Sequence, residues 1–400
     1  MMRAGRYVTQ GEKQYRAFIP APLPPQPPVV LDDDLVRLLS EADRALARLD
    51  GLGLALPNPD LFVAMYVRQE AVLSSQIEGT QSTLEDVLEY EAEGVRDFQP
   101  RDVEEVVNYV RAMNYGLERL NTLPLSLRLI REIHAELLRA VRGGDRSPGE
   151  FRRTQNWVGP AHCTLAEADY VPPPPHEMMH ALDSFEKFLR NREALPPLVH
   201  CALAHAQFET IHPFLDGNGR VGRLLITFLL CERKVMQLPL LYLSYYLKAH
   251  RAAYYDRLMA IRNDGDWEGW LRFFLRGVYE VSTAATATAR EILRLREEHR
   301  EQLRDANSLR LLDMLLRQPV VSVKMVQQHL NCSYPTANST VAGLEKLGIL
   351  REFTGRGRNR RFRYDAYIEL FQLQAATPAA PEETTETRTT VNRSSPGPGG

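Results

Sequence analysis

The chain has 400 residues, of which 44% are hydrophobic and 25% are charged, so it is long enough for two or three globular domains with real cores. A net charge of −2 excludes a strong overall attraction to nucleic acid or to an anionic membrane, so any contact with nucleic acid must be local. Four cysteines without CxxC spacing, no signal-like N-terminus and no long apolar run exclude a disulfide framework, a cysteine zinc site and a membrane span, and predict a cytoplasmic protein.

Proline dominates the N-terminal segment. The stretch "FIPAPLPPQPPVVLDDD" is typical of extended structure, so residues 1–30 are predicted to form an extended arm. Apolar residues at helical spacing then predict an N-terminal helical region over 31–120 and further helices through most of 121–285. Residues 151–175 break this pattern, because short β-prone pieces flank a Gly-Pro turn there and predict a hairpin.

The composition and the spacing of apolar residues change beyond residue 285. A charged stretch predicts a linker helix over 286–306. Three short helical patterns follow, and then two β-prone pieces flank the basic turn "TGRGRN", which predicts a winged helix-turn-helix domain over 307–372. Residues 373–400 are rich in Thr, Pro, Glu and Gly and are predicted to be disordered. The predicted fold class is therefore mainly α, with a short β-hairpin and a C-terminal winged helix.

One stretch, "IHPFLDGNGRVGR" from Ile211 to Arg223, sets polar and flexible residues directly before an apolar helix. Gly217 and Gly219 let the backbone approach a ligand closely, and the unpaired N–H groups at a helix start bind anions. Arg220 lies one turn before the arginine that closes the stretch, so both side chains can reach one phosphate chain. The pattern predicts a phosphate-binding site.

Two further side chains in this stretch carry chemistry. Asp216 is a ligand of the type that Mg²⁺ prefers, next to the predicted phosphates. His212 is able to take a proton from an incoming hydroxyl group. Taken separately, a Gly-Asn-Gly turn and a histidine before proline are ordinarily structural. A base, a metal ligand, an anion site and two arginines in order at one junction favour a catalytic site instead.

The same stretch resembles the signature of the Fic family, whose members transfer AMP from ATP to a hydroxyl side chain of a protein. The resemblance covers about residues 30–300 and implies a Fic-type helical bundle in which the hairpin is a target-positioning flap. It implies that His212 is the general base, that Asp216 binds Mg²⁺ and that Phe214 holds the loop in the core. The phosphate-binding residues that it implies are Gly217, Asn218, Gly219, Arg220, Val221, Gly222 and Arg223.

The resemblance also implies contacts to the rest of the nucleotide. Val158 and Gly159 of the flap are expected to lie over it. A tyrosine, either Tyr254 or Tyr255, is expected to hold the adenine together with Asn263. The tyrosine and the asparagine are separated here by one residue more than in the family pattern, so the choice between the two tyrosines stays open.

A second motif, "SSQIEGT" over 74–80, ends the second long predicted helix. Ser74 and Glu78 share a helix face, and Gly79 lets the chain leave. Residue types alone favour a solvated glutamate before a helix end, although a carboxylate there benefits from a cationic partner. The resemblance implies an inhibitory motif instead, in which Glu78 pairs with Arg223 and blocks productive ATP binding. In some relatives the same glutamate positions the water that removes AMP.

The predicted winged helix has an uneven distribution of charge. Its recognition helix carries Thr336, Asn338 and Ser339 but no Arg or Lys before Lys346, whereas the wing is rich in arginine. Winged helices bind DNA, bind proteins or dimerise, so DNA and a second copy of the chain are both candidate partners. The candidate DNA contacts are Arg356, Arg358 and Arg360.

These observations predict a protein adenylyltransferase that uses Mg-ATP, modifies a Ser, Thr or Tyr hydroxyl of a target protein or of itself, and is restrained by Glu78. No membrane partner is expected. Two alternatives stay open: a transcriptional regulator whose nucleotide site gates the winged helix, and transfer of another phosphate-containing group. His212 counts against the regulator, because nucleotide binding alone requires no base.

Overall fold

The computed structural model of the protein describes residues 3–11, 15–54, 59–93, 102–139, 147–160, 163–191 and 195–376. Of the predicted tail over 373–400, the first four residues end a helix, and residues 377–400 lie outside the described residues. The described fold is mainly helical, with two small antiparallel sheets.

The N-terminal segment begins with a β-hairpin, so the prediction of an extended arm over 1–30 was wrong for its first part. Strands β1 (Gly5–Gln10) and β2 (Tyr15–Pro20) pair antiparallel, with Gly5 opposite Pro20. The buried Phe18 packs edge-on against Tyr7 with ring centroids 5.0 Å apart, and its N–H donates to the Val171 carbonyl at 2.9 Å. The hairpin depends on this distant partner, which the local sequence does not reveal.

Eleven helices form the body of the fold within the described residues. They are α1 (Asp33–Leu54), α2 (Pro59–Ile77), α3 (Leu84–Glu93), α4 (Val103–Arg119), α5 (Leu127–Leu137), α6 (Pro175–Arg190), α7 (Pro197–Ile211), α8 (Asn218–Glu232), α9 (Ser244–Ala249), α10 (Arg251–Asp264) and α11 (Trp267–Gln302).

Helix α7 lies at the centre of this bundle. Every residue from Leu198 to Ile211 is buried, as expected for a helix that is apolar on all sides. Helix α8 packs against α7, α4 packs against α5, and α1 packs along α11. The buried Trp270 of α11 donates its indole N–H to the Ala202 carbonyl of α7 at 2.9 Å. None of the described helices is long and apolar enough to cross a membrane.

The predicted hairpin over 151–175 is reduced to a single β-bridge, between Val158 and Tyr170. A short 3₁₀ helix, Leu165–Glu167, lies between the two bridge residues, and residues 161–162 lie outside the described part of the chain. Proline lacks the N–H that a β-ladder requires, and four consecutive prolines follow Val171. The segment is therefore a largely irregular loop, which we call the flap (residues 151–175).

The C-terminal domain has the predicted winged-helix outline. Its elements are α12 (Ala306–Arg317), β3 (Val320–Ser322), α13 (Val323–Leu330), α14 (Tyr334–Lys346), β4 (Arg351–Glu352), β5 (Arg361–Arg363) and α15 (Asp365–Ala376). The three strands form one antiparallel sheet in the order β3-β5-β4. Strand β3 and helix α15 were not predicted.

This domain packs directly against the Fic-like bundle predicted from the sequence. The predicted linker helix over 286–306 is mostly the second half of α11, which runs unbroken across the boundary. The ring of Phe371 in α15 meets Tyr66 of α2 edge-on at 5.3 Å. Arg68, also on α2, donates to the Arg317 carbonyl at 3.1 Å, and Arg363 of β5 pairs with Glu85 of α3 at 2.8 Å. Helix α2 therefore packs against the bundle on one side and against the C-terminal domain on the other.

We expect Phe371→Ala to lower the free energy of unfolding by about 3–5 kcal/mol, because it removes a fully buried ring from the contact between α15 and α2. Urea denaturation of the whole protein measures this change. Leu347→Ala, at a side chain that is 46% exposed, is the control and should change the stability by no more than about 0.5 kcal/mol. If Phe371→Ala lowered the free energy of unfolding no more than Leu347→Ala does, the contact between α15 and α2 would not be a stabilising one.

Candidate active site

The central helix α7 ends in a strained residue. His212 caps the helix in the left-handed conformation, with φ 49° and ψ 59°, and its N–H donates to the Phe208 carbonyl at 2.9 Å. Residues other than glycine rarely adopt this conformation, and such strain concentrates at functional sites. The surrounding contacts must therefore hold the residue in place.

The loop after His212 is closed by one side chain. The amide oxygen of Asn218 accepts from the Phe214 N–H, and its amide nitrogen donates to the Phe214 carbonyl, both at 2.8 Å. The Phe214 ring is fully buried, which agrees with its expected role as a wedge. Because both polar atoms of the Asn218 side chain are engaged, any phosphate contact at this position falls to the backbone. That Asn218 helps to bind phosphate stays a prediction.

A buried histidine supports the loop from below. His134 of α5 stacks on the Phe214 ring, with centroids 3.7 Å apart and 8° between the planes. Its Nδ1 accepts from the Gly149 N–H at 2.8 Å, so its Nε2 carries the proton that is donated to the Asp216 carbonyl at 3.0 Å. Burial lowers the pKa of His134 to about 4, which keeps the ring neutral. The sequence carries no signal for this role.

Helix α8 begins directly behind the loop. Gly217 precedes it with φ 76°, which favours glycine, and Asn218 is its first residue. A Cβ atom added to Gly219 would lie 2.1 Å from Oε1 of Glu78, so that carboxylate lies against the first turn of α8. The N-terminus of a helix attracts anions, and the carboxylate therefore occupies the place predicted for phosphate.

The predicted ion pair between Glu78 and Arg223 is present. Nη2 of Arg223 lies 2.6 Å from Oε1 of Glu78, and its Nε donates to the Ser74 hydroxyl at 2.7 Å. The Arg223 side chain is 1% exposed. Burial acts to raise the pKa of the Glu78 carboxyl, but Arg223, followed by Arg220 and His212, outweighs burial and holds it below its ordinary value. Glu78 is therefore ionised at neutral pH.

The second arginine of the motif is held by a carboxylate from a distant helix. Nη1 of Arg220 lies 2.9 Å from Glu105 of α4, and its Nη2 lies 3.5 Å from Asp216. The Asp216 carboxylate also accepts from the Gly217 N–H at 2.6 Å, and it is 37% exposed. An accessible single carboxylate fits Mg²⁺, which binds one or two carboxylates together with substrate phosphates. Sequence reasoning did not find Glu105.

A buried polar cluster lies beneath Arg223. Glu70 of α2 accepts from the Ser244 N–H and from the Tyr109 hydroxyl, each at 3.0 Å, and from the Ser244 hydroxyl. Burial raises the pKa of Glu70 to about 7, although these hydrogen bonds and Arg223 oppose the rise. The cluster joins α2, α4 and α9 under the site, and it too was absent from the predicted residues.

The His212 ring lies in a positive environment. Burial, then Arg152 and Arg262, lower the pKa of His212 to about 4, and Glu78 acts in the opposite direction. Its Nδ1 is buried and has no hydrogen-bond partner among the described residues. The ring is therefore neutral at physiological pH, as a general base must be.

Comparison with known proteins shows which families the segments around this site resemble. Residues 36–118 match the family model described as Fic/DOC family N-terminal, and residues 124–230 match the model described as Fic/DOC family. Over these two segments, which together make up a little under half of the chain, the sequence is similar to the Fic/DOC family. Residues 309–363 match a model described as an HTH DNA binding domain, which covers the winged helix.

The relatives share the central part of the chain. A protein of Aedes aegypti named "Protein adenylyltransferase Fic" is 36% identical over 151 residues, which are 37% of this chain and 27% of that protein. The protein of the same name from Drosophila grimshawi is 32% identical over 173 residues, which are 42% of this chain and 32% of that protein. The matched part of the chain thus spans no more than 32% of the length of these relatives.

A solved structure extends the likeness to most of the fold. The Fic family protein from Desulfovibrio desulfuricans G20 superposes with a TM-score of 0.55 at 20% identity, covering 84% of this chain and 97% of that one. At this identity the likeness concerns the fold alone. The Fic bundle and much of its surroundings are therefore shared architecture.

Of the two candidate tyrosines of α10, Tyr254 is a core residue, so the structure favours Tyr255 as the one that is open to a nucleotide. Tyr254 is 1% exposed, and its hydroxyl donates to His205 Nε2 at 2.9 Å. Tyr255 is half-buried below the Arg251 guanidinium, which lies 5.1 Å from its ring centroid. Glu78 and Arg223 both act on the pKa of Tyr255, after burial, so this tyrosine lies near the ion pair.

The other predicted nucleotide contact of α10 already has a partner. The amide oxygen of the exposed Asn263 accepts from the Tyr7 hydroxyl of β1 at 2.9 Å. The N-terminal hairpin therefore reaches this end of the Fic domain. A role of Asn263 in binding adenine stays a prediction.

Two residues inside α8 do not offer polar groups to a phosphate. Val221 is 2% exposed, and its N–H donates to the Gly217 carbonyl at 3.0 Å. Gly222 faces Glu209, whose Oε1 lies 2.3 Å from the position of an added Cβ, and its carbonyl accepts from His205 at 2.8 Å. Both residues take part in the helix packing, and their assignment to phosphate binding stays a prediction.

The flap residues Val158 and Gly159 lie at the β-bridge of the Fic domain. Val158 exchanges backbone hydrogen bonds with Tyr170 at 2.8 and 3.1 Å. Gly159 is exposed next to Cys163, whose sulfur lies 2.7 Å from the position of an added Cβ. The neighbouring Trp157 is 41% exposed, so this edge of the flap presents an apolar ring to solvent.

The wing arginines differ in exposure. Arg356 and Arg358 are exposed, whereas Arg360 is half-buried and donates to the Asn338 side chain of α14 at 3.2 Å. Arg360 therefore joins the wing to the recognition helix, and the other two side chains remain open to a ligand.

We expect the free energy of unfolding to fall as the pH drops from about 6.5 towards 4. The folded pKa of His134 is about 4, below the unfolded value of about 6.5, so the unfolded chain binds more protons in this window and the contribution of the histidine is complete only above it. That contribution is at most about 3 kcal/mol. His134→Gln should flatten the pH dependence measured by urea denaturation between pH 7 and pH 5.

His176→Gln is the matched control, because the His176 side chain is 70% exposed. It should leave the pH dependence unchanged. A slope that His134→Gln does not alter would contradict the neutral, buried state of His134.

Proposed function

We propose that the protein is an adenylyltransferase that transfers AMP from Mg-ATP to a Ser, Thr or Tyr hydroxyl of a target protein or of itself. One observation carries the proposal: a neutral His212, the Asp216 carboxylate and the anion-binding start of α8 follow one another at a single loop–helix junction. The names of the curated relatives that match the same region support AMP as the transferred group.

In the proposed reaction, the target hydroxyl oxygen attacks the α-phosphorus of ATP. His212 takes the hydroxyl proton, the new P–O bond joins AMP to the target, and the bond to pyrophosphate breaks. The backbone of Gly217 and Gly219 and the guanidinium groups of Arg220 and Arg223 neutralise the charge that pyrophosphate carries away. The loop contacts keep the histidine aligned throughout.

Asp216 would hold Mg²⁺ in this scheme. The ion would neutralise the phosphates and stabilise the leaving group. Among the described residues, no group of three or more His, Cys, Asp and Glu side chains is arranged to hold a metal ion, and this fits an ion held by one carboxylate and by the substrate.

Tyr255 and Asn263 are the proposed adenine contacts, and Val158 and Gly159 are the proposed cover of the nucleotide. The exposed edge at Trp157 offers backbone and an aromatic ring to an extended target segment. The four cysteines are free thiols, which supports a reducing compartment, the cytoplasm, as the site of action.

The restraint is part of the proposal. Glu78 lies against Gly219 and pairs with Arg223, so the carboxylate holds both groups that the distal phosphates of ATP require. Productive binding requires Glu78 to leave, and an anion that replaces it keeps Arg223 paired. The same carboxylate is the candidate for positioning water when AMP is removed.

DNA binding is a second candidate activity, carried by the exposed face of the winged helix. Tyr334, which opens α14, is 53% exposed, and Thr336 and Ser339 of the same helix are also exposed. The exposed Arg356 and Arg358 extend this face with positive charge. Polar recognition helices with a basic wing contact DNA bases and phosphates.

We expect Glu78→Gly to transfer AMP at least about tenfold faster than the unmodified chain, because loss of the carboxylate frees Arg223 and the start of α8. Intact-protein mass after incubation with Mg-ATP and with a lysate of candidate targets measures the AMP-sized increase. Adding His212→Ala to Glu78→Gly should abolish it.

The alternatives give different products. Labelled γ-phosphate on protein would identify a kinase instead. No label on any protein, from either the α- or the γ-phosphate, would reject group transfer from ATP.

We expect Arg356→Ala with Arg358→Ala to weaken binding to duplex DNA and to reduce its salt dependence by about one counterion for each lost phosphate contact. Fluorescence anisotropy at several salt concentrations measures both quantities. Arg44→Ala with Arg48→Ala removes the same charge from exposed positions of α1 and should change neither. Equal effects of the two pairs would exclude the wing as the contact.

A further inference from the structure

The first residues of the flap donate hydrogen bonds to the backbone carbonyls of the loop that follows α7. Nε of Arg152 donates to the His212 carbonyl at 3.0 Å, and the Arg152 N–H donates to the Pro213 carbonyl at 2.9 Å. The Asn156 amide donates to the Phe214 carbonyl at 2.8 Å and to the His212 carbonyl at 3.3 Å. The carbonyls of residues 212, 213 and 214 are thus all held by two flap residues.

The Arg152 guanidinium is an unusual group to find at this position. The residue is 3% exposed, and its other N–H groups donate to the carbonyls of Thr154 and Pro173. Within the described part of the chain, no carboxylate forms an ion pair with it. Burial lowers the pKa of Arg152 to about 10, so the group stays charged at neutral pH. A buried cation without an anion is costly, and a neutral side chain would be a better structural link.

The end of α7 explains what such a cation is suited to do. The last carbonyls of a helix have no partners within the helix, and His212 bends away from the helix axis in a strained left-handed conformation. A guanidinium offers several N–H groups in one rigid plane, so it can hold the His212 carbonyl and the flap carbonyls together. A lysine would make fewer bonds, with less directional control.

Charge is the second property of Arg152 that reaches the histidine. After burial, the charged groups that act on the pKa of the His212 ring are Arg152 from the flap, Arg262 from α10 and Glu78, directly after α2. The two arginines disfavour the imidazolium form, and Glu78 favours it. Arg152 thus bonds to the backbone carbonyl of His212, and its charge also acts on the His212 ring through space.

We propose that Arg152 is a positioning residue for His212, which it aims by holding the carbonyl groups at the end of α7 and whose ring its positive charge faces, while it takes no part in binding ATP. The catalytic part of this inference rests on the proposed adenylyl transfer. The effect on the His212 ring does not depend on that activity.

The competing explanation is that Arg152 merely fastens the flap to the core. In that case its replacement would lower stability or weaken target binding without a change at the imidazole. Arg152→Met removes both the charge and the planar set of N–H donors at similar side-chain length. Arg152→Lys keeps the charge but loses the planar donors. Arg153→Met is the matched control, because Arg153 is the adjacent arginine and is exposed.

The deciding experiment is an NMR titration of the His212 imidazole in the full-length protein, with His212→Gln used to assign the signal. The unmodified chain should titrate near the His212 pKa of about 4, and Arg152→Met should move the midpoint upward, while burial and Arg262 still hold it below the ordinary value. Arg152→Lys should move it less, and Arg153→Met should not move it. An unchanged midpoint in a folded Arg152→Met protein overturns the proposal, whether or not the protein transfers AMP. If Arg152→Met does not fold, a ring environment in Arg152→Lys identical to that of the unmodified chain overturns it equally.

Kinetics in the Glu78→Gly protein then test the catalytic part. Arg152→Met should lower kcat by about 100-fold, as a misaligned base does, with KM for ATP changed by less than about threefold. The acid limb of its rate profile should move to higher pH, because the less positive surroundings let His212 protonate sooner. A rise in KM with unchanged kcat would overturn the positioning role. A Glu78→Gly protein that transfers no AMP contradicts the proposed function, and the NMR titration alone then decides the role of Arg152.

Discussion

The buried guanidinium of Arg223 is the constraint on which the site depends. Its side chain is 1% exposed, so each N–H group that faces the interior requires a partner. Ser74 of α2 and Glu78, which directly follows this helix, supply those partners and fix the end of α2 against the start of α8. Breaking such a buried pair without replacement costs about 3–5 kcal/mol. The carboxylate can therefore be exchanged for another anion, but it cannot simply be withdrawn.

The groups expected to meet ATP are supported by side chains that bond to the backbone of the loop or lie beneath Arg223. His134 holds the Asp216 carbonyl, Asn218 closes the loop on Phe214, and Glu70 gathers hydrogen bonds beneath Arg223 without touching the loop. None of these contacts uses the carboxylate of Asp216 or the guanidinium of Arg220. The loop can thus carry strain at His212 because its backbone is bonded from several sides.

Sequence reasoning succeeded where covalent neighbours make the site. The order of groups from His212 to Arg223 is local, so their common position at the start of a helix could be predicted. The long-range partners could not, because Glu105 lies 115 residues from Arg220 and His134 lies 82 residues from Asp216. No local period marks a residue whose function is to meet a distant carbonyl. The Glu78–Arg223 contact, 145 residues apart, was predicted only through the family resemblance.

The points that the sequence left open or predicted wrongly have physical causes as well. Adjacent residues on a helix point about 100° apart, so Tyr254 enters the core while Tyr255 does not. The flap has β-prone residues, but its prolines prevent a ladder. The N-terminal hairpin was missed because its short strands are stabilised by a buried ring and by a hydrogen bond to the flap.

The unbroken helix α11 and the contact of α15 with α2 have a consequence for how the molecule can be divided. Separate family models match the bundle and the winged helix, which suggests two modules joined by a boundary near residue 300. The packing has no such boundary, because the apolar residues of α2 are shared between both parts. We therefore expect the winged helix and α2 to unfold as one cooperative unit, and a chain cut at the apparent boundary would expose the back of the helix that precedes Glu78.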